Sequence, residues 1–251
     1  MGQKVNSIGL RLRNRRKWDS KWFTEKGYSD LFYRDYITTK YLTQVFEKHD
    51  ILLGRCVIKR ALNKTYIFSH VYLSTARGSN FLEHSGIKVE KVKKTLEKLN
   101  KSKVVLSVSN TDNISLDLWL GKKKVMAQLS SFQTRKYFDE TLLLINSATA
   151  IKSAPLLARF LARQLETIFQ HTQYIYFSKK VLAKFVIMRP DLLGVRVQWK
   201  GRLSGSDRSK KESCQQGQIP LHTINAKIDY GYSPAFTIYG TCGVKVWLCL
   251  K

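Results

Sequence analysis

"NFLEHSGIKVEKVKKTLEKLN", residues 80–100, reads as a glycine-containing turn that opens a helix with two unlike faces. Val89, Val92, Leu96 and Leu99 recur at helical spacing and form an apolar stripe. Lys88, Lys91, Lys93, Lys94, Lys98 and Lys101 occupy the other side. Upstream, "LLGRCVIKRA" (52–61) and "TYIFSHVYLS" (65–74) are rich in strand formers, and the short Leu62–Lys64 link between them predicts a hairpin. "KVVLSVS" (103–109) predicts a third strand. Before them, "YRDYITTKYLTQVFEKH" (33–49) places Tyr33, Tyr36, Ile37, Tyr41, Leu42, Val45 and Phe46 at helical spacing. The order helix, strand, strand, turn, helix, strand gives an α+β domain over 33–110, its helices covering one face of the sheet.

The lysine face has a context that a lone surface helix lacks. The 251-residue chain carries a formal charge of +26, with 44 Lys and Arg against 18 Asp and Glu. A polyanion is the natural means of relieving such self-repulsion, and nucleic acid is the commonest one in a cell. The excess is spread out: residues 1–26 hold eight basic residues and two acids, and 152–200 hold nine and two. Contacts on several faces, as inside a large RNA, suit this distribution better than one groove on one duplex. Hydrophobic residues at 43% and aromatics at 12% are ample for folded cores.

The opening "MGQKVNSIGLRLRNRRKW" alternates Arg11, Arg13 and Arg15 with Leu10, Leu12 and Asn14, which predicts an extended basic arm over 1–32. Residues 111–150 show no sustained period and read as an insertion or connection. "SAPLLARFLARQLETIF" predicts a helix capped by Ser153, with Pro155 in its first turn. "SKKVLAKFVIM" (178–188) predicts a second, stopped by Pro190. Strands follow at "VRVQWKGRL" (195–203), "INAKIDY" (224–230) and "TCGVKVWLCLK", while "GRLSGSDRSKKESCQQGQ" reads as a long exposed loop. Two helices before an antiparallel sheet make a second α+β domain over 151–251. Cys56, Cys214, Cys242 and Cys249 form no C-x-x-C pair, which argues against zinc and for free thiols. The five histidines show no catalytic pairing, and no apolar run reaches the roughly 18 residues of a membrane span.

"MGQKVNSIGLRL", "WDSKWF", "GRLSG", "IPLHTINAKIDY" and "YGTCGVKVW" resemble the small-subunit ribosomal protein family numbered three, over residues 1–110 and 151–251. The resemblance implies a KH domain of the second type, then the family's C-terminal α+β domain. It further implies a structural, non-enzymatic protein of the small-subunit head that takes part in translation as part of a ribonucleoprotein. Its partners would be small-subunit ribosomal RNA, neighbouring head proteins and messenger RNA, whose inward channel it would help line. No cofactor, metal, catalytic residue, membrane or small-molecule substrate is implied. The family's G-x-x-G loop falls on Glu83, His84, Ser85 and Gly86, so only the second glycine remains. Glycine lets a KH loop approach four backbone nucleotides closely. A glutamate at about 4 Å from a phosphate would cost about 1 kcal/mol even in water-like surroundings. The expectation is a KH cleft kept as architecture with a weakened grip.

Candidate RNA ligands are Arg11, Arg13, Arg15, Arg16 and Lys17 on the arm, and Lys88, Lys91 and Lys94 on the 87–101 helix. Lys179, Lys180 and Lys184 fall near the family's basic residues facing messenger RNA. Arg202, Arg208, Lys210 and Lys211 lie in the long loop. Guanidinium and ammonium groups are the usual partners of phosphate. Trp18, Trp22 and Phe23 are expected either to pack onto the KH unit, the favoured reading, or to stack on bases. Two rivals stand beside the ribosomal reading: an RNA-processing nuclease, which would need convergent acids, and a free-standing KH regulator, which would want an intact loop. The degenerate loop, the unmatched middle and the high Phe, Tyr and Lys content point to a mitochondrial form synthesised inside the organelle, with plastid or bacterial cytoplasm as alternatives.

Overall fold

The computed structural model describes residues 5–12, 14, 16–73, 87–110, 137–139, 141–142, 145, 152–189 and 191–251. The chain separates into two compact units, Trp18–Asn113 and a second made of Met1–Lys17 with Ile114–Lys251. The 1–32 arm is therefore not one element. It divides after Lys17, and each part is held by a different unit.

In the first unit the elements are β1 (Ser20–Lys21), α1 (Tyr28–Lys48), β2 (Ile51–Arg60), β3 (Lys64–Leu73), α2 (Val89–Asn100) and β4 (Lys103–Asn110). The sheet runs β1-β2-β3-β4. β2 and β3 form the expected antiparallel hairpin, closed by Ala61 N–H donating to Lys64 O at 2.9 Å. β4 lies parallel to β3, which requires a crossover, and α2 lies in it. The core is Leu42 and Phe46 of α1, Ile51, Leu53, Ile67 and Val71 of the hairpin, Ile87, Val92 and Leu96 around α2, and Val104 of β4. This is the helix–strand–strand–helix–strand plan of a type II KH domain.

α1 begins earlier than its apolar spacing predicts, because Gly27 takes the left-handed conformation (φ 73°) that turns the chain into the helix. Its buried line is Asp35, Thr38, Leu42 and Phe46, so Tyr33 and Tyr36 do not join the core; they are 62% and 56% exposed. A polar network explains the displacement. Arg60 donates from Nε to Asp35 Oδ1 at 2.9 Å, and Trp22 donates from Nε1 to Asp35 Oδ2 at 2.6 Å. Arg60 Nη2 also reaches Asn100 Oδ1 at 2.7 Å, and Asn100 Nδ2 donates to Thr38 Oγ1 at 3.1 Å. Each buried polar group thus finds a partner, as burial demands. Of the three aromatics expected to pack here, Trp22 does so, while Trp18 and Phe23 stay exposed.

The second unit contains α3 (Ala154–Thr167), α4 (His171–Met188), β5 (Leu192–Gly201), β6 (Lys210–Gly217), β7 (Lys227–Thr237) and β8 (Gly240–Leu250). Its antiparallel sheet runs β6-β5-β8-β7. The helices bury Phe160, Leu161, Leu165, Tyr174, Phe177 and Phe185, while Val195, Val197, Trp199, Val244, Val246 and Leu248 line the sheet's inner side. Ser153 caps α3 as expected, accepting from Leu156 N–H at 3.4 Å. The helix start is clamped on β7: Asp229 Oδ2 accepts from Ala154 N–H at 2.8 Å. A Cβ on Gly231 would stand 2.4 Å from Ala154 O, so only glycine permits this approach. Phe138, Leu142 and Ile145 are buried, and the Tyr137 and Phe138 rings lie 5.4 and 5.6 Å from Phe177, so the end of the 111–150 segment contributes to this core.

Two expectations change here. β6 is a strand where a loop was expected; its inner side is Glu212, Cys214 and Gln216, so this edge strand shows no apolar alternation, and only Cys214 is buried. α4 starts seven residues before Ser178, at His171. His171 is buried, and its Nδ1 accepts from Ser204 N–H at 3.0 Å. Burial lowers its pKa below the usual 6.5. The neutral ring's contribution to stability is whole above that ordinary value and is lost as pH falls below it, because the unfolded chain then binds the proton more readily. Stability is expected to fall as pH drops through the ordinary imidazole range near 6.5 and below, with a flatter profile for His171→Gln, measured by denaturant titration at each pH.

Candidate nucleic-acid interface

The lysine face of α2 is open as expected. Lys88, Lys91 and Lys94 are exposed, with Lys93 and Lys98 beside them, while Val92, Leu96 and Asn100 face inward. Val89, assigned to the apolar stripe by spacing, is 37% exposed, and the inward line of α2 runs Val92, Leu96, Asn100.

A second basic surface assembles on the outer side of the C-terminal sheet. Along β5, Val195, Val197 and Trp199 point inward, which turns Arg196, Gln198 and Lys200 outward. Strand register then brings together residues far apart in sequence. Lys200 lies opposite Lys211 of β6, and Gln198 opposite Lys245 of β8. Arg196 lies opposite Trp247, its guanidinium carbon 5.5 Å from the ring centre. Trp247 in turn neighbours Tyr230 at 5.3 Å, and Lys245 neighbours Tyr232, which is 54% exposed. Like charges directly opposite, as at Lys200 and Lys211, cost stability in an isolated sheet. An anion laid across them reverses that sign, and ring faces beside them suit unstacked bases. Sequence reading missed Arg196, Lys200, Lys245 and these rings. Alternation along β5 was visible, but which strands flank it was not.

The β5–β6 connection extends this surface. Arg202 and Arg208 in this connection, and Lys210 and Lys211 at the start of β6, are all exposed. The backbone is pinned by Arg202 Nε donating to Ser206 O at 2.9 Å and Ser206 Oγ donating to Arg208 O at 2.8 Å. On α4, Lys179 pairs with Glu212 at 2.7 Å and Lys180 lies 4.6 Å over the Tyr176 ring. Lys184 is partly buried. The charges of Lys179 and Lys180 are thus partly engaged within the protein.

The arm departs most from expectation. Arg11 is not a phosphate ligand: it is 1% exposed. Its guanidinium donates to the carbonyls of Ala226 (2.9 Å), Ser7 (3.0 Å), Pro220 (3.3 Å), Leu221 (2.9 Å) and Thr223 (2.8 Å). Burial draws its pKa down from the ordinary arginine value. Arg16 is also turned inward, paired with Asp229, the same carboxylate that caps α3. Lys17 is exposed. Arg13, Arg15 and the Glu83–His84–Ser85–Gly86 loop lie outside the described residues. Among the described residues no cluster of metal-binding side chains occurs, and no helix is long and apolar enough to cross a membrane. Burial raises the thiol pKa of Cys214, Cys242 and Cys249.

Each of the two α+β units presents an open face rich in lysine or arginine, the kind of surface that suits a polyanion. Residues 162–248 match the family described as Ribosomal protein S3, C-terminal domain. The chain is 31% identical over 248 residues to small ribosomal subunit protein uS3 of Bacillus cytotoxicus, covering 99% of this chain and 92% of that protein. It is 31% identical over 250 residues to uS3 of Listeria monocytogenes, with the same coverage. For uS3 of Rhodospirillum centenum the identity is 31% over 248 residues, covering 89% of that protein. The chain belongs to the small ribosomal subunit protein uS3 family, and with it is a structural constituent of the small ribosomal subunit, not an enzyme.

Proposed function

We propose that this protein holds ribosomal RNA in the head of the small subunit through the α2 lysine face and the outer face of the C-terminal sheet, and helps line the channel through which messenger RNA enters. The outer sheet face carries the reading: Arg196, Lys200, Lys211 and Lys245 converge there from three strands beside Tyr232 and Trp247. The β5–β6 connection, with Arg202 and Arg208, and Lys210 at the start of β6 continue the contact. Lys179, Lys180 and Lys184 of α4 are assigned to messenger RNA. Residues 33–110 serve as a KH-like domain whose loop, reduced to Gly86, is architecture more than clamp, and 151–251 as the ribosomal C-terminal domain. The shortened glycine pattern and aromatic-rich composition support a mitochondrial ribosome as its setting.

Phosphate contacts release counterions, so they are read in the salt dependence of binding. Lys200→Gln, Lys211→Gln and Lys245→Gln combined in the full chain are expected to lower the slope of log affinity against log salt by about two to three, without regard to RNA sequence. Filter binding to small-subunit ribosomal RNA over a salt series checks it. An unchanged slope, or a loss confined to one RNA sequence, contradicts the assignment.

A further inference from the structure

The outer face of the C-terminal sheet holds three rings, and one of them has an open side. Trp247 has the Arg196 guanidinium 5.5 Å from its centre and the Tyr230 ring at 5.3 Å, and all three residues are half-buried. Tyr232 is 54% exposed. It stands on β7 opposite Lys245, and its ring leans across onto β8. A Cβ added to Gly243 would lie 3.4 Å from Tyr232 Cε2 and 3.7 Å from the tyrosine oxygen, ordinary contact distances. Gly243 thus lets the ring rest against bare backbone, supported on one side and open to solvent on the other.

The charges around this ring are all of one sign. Lys200 lies opposite Gly243 on β5, and Lys211 lies opposite Lys200 on β6. Lys245 follows two residues along β8, about 7 Å away on the same face. Among the described residues of these four strands no acid turns outward; Glu212 and Asp229 point to the helix side, paired with Lys179 and Arg16. A duplex brings phosphates to the lysines, but its base faces are closed within its own stack and leave the ring unmatched. An apolar protein surface would cover the ring and bury ammonium groups without an anion. An unpaired nucleotide answers both features at once: its base covers the ring, and the phosphates on either side meet the lysines.

We infer that Tyr232, laid against Gly243, is a stacking platform for one unpaired base of RNA, with Lys200, Lys211 and Lys245 taking the phosphates that flank it. This rests on the outer sheet face being an RNA surface, as proposed above, and adds the state of the RNA it takes: single-stranded, not duplex. The parent for the test is the full chain carrying Lys88→Gln, Lys91→Gln and Lys94→Gln, which silences the α2 face. It is titrated over a salt series with a fluorescent RNA dodecamer containing iodouridine, first as a single strand and then annealed to its complement. Tyr232→Ala is expected to weaken single-strand binding about fivefold or more at every salt concentration, with an unchanged salt slope and under about a twofold change for the duplex. Tyr232→Phe is expected to bind like the parent, and both variants to melt within a few degrees of it. Irradiation of the parent with the single strand is expected to give an adduct on Tyr232, located by mass spectrometry. A smaller loss for Tyr232→Ala, an equal loss for the duplex or for Tyr232→Phe, or adducts confined to other residues overturns the stacking. Lys200→Gln, Lys211→Gln and Lys245→Gln combined separate the two readings. If they leave the salt slope unchanged, the RNA face itself falls and the stacking with it; if they lower the slope while Tyr232→Ala binds like the parent, the stacking alone falls.

Discussion

Arg11→Met is expected to destabilise the second unit by about 3–5 kcal/mol, because several buried carbonyls lose one charged donor at the same time. Methionine fills most of the space but donates nothing. The carbonyls of Pro220, Leu221, Thr223 and Ala226 would lose the donor that bends the 219–226 stretch around it. Each buried acceptor left without a partner costs about 1–3 kcal/mol when water cannot replace it. Hydrogen exchange on the full chain is the sensitive measurement. Protection should fall in β7 and β8 and remain unchanged in the β2–β3 hairpin. If Arg11 were a phosphate ligand, the exchange pattern of the free chain would not change and only RNA affinity would fall.

A comparable loss, again about 3–5 kcal/mol, is expected in the first unit for Asp35→Ala. Asp35 accepts from Arg60 and Trp22, and the side chains of Arg60 and Asp35 are only 9% and 6% exposed. Removing the carboxylate leaves a guanidinium buried with Asn100 Oδ1 and Thr65 Oγ1 as its remaining acceptors. The double change Asp35→Leu with Arg60→Met should recover part of the loss, since apolar pairs of similar volume often replace buried ion pairs well. Recovery would stay partial because Trp22 Nε1 still lacks its acceptor and Asn100 Oδ1 now loses the Arg60 donor. Denaturant unfolding followed by exchange in β2 and β3 measures both variants. A double mutant no more stable than Asp35→Ala would show that the pair's charges are not what matters.

The parts of the fold that were legible are those set by local rules. The hairpin strands fall within one residue of expectation because their alternation and short link act over neighbouring positions. Ser153, Pro155 and Pro190 mark helix limits through backbone chemistry that operates within a turn. What was hidden depends on distant partners. Tyr174, Ile175 and Phe177 precede the expected start of the second helix, yet with His171, Ser178 and Val181 they form the buried line of α4. Arg11 in an Arg-rich stretch looks like its neighbours, and its partner Leu221 lies 210 positions away. One clue existed: "GLRL" and "IPLHTINA" were both among the stretches carrying the family resemblance, and they prove to be in contact. The candidate site divides the same way. The α2 lysines needed only helical periodicity, whereas the outer sheet face needed the pairing of β5 with β6 and β8.

The place of β8 between β5 and β7 bears on the order in which a growing chain becomes protein. Translation produces both flanking strands before the one that joins them. Until it arrives, β5 and β7 each lack a hydrogen-bonded neighbour, a condition that invites association with other nascent chains. The first unit, by contrast, has all its strands by Asn110 and can fold while the rest is still being made. Premature termination just before Gly240 would thus leave one sound half attached to an adhesive one.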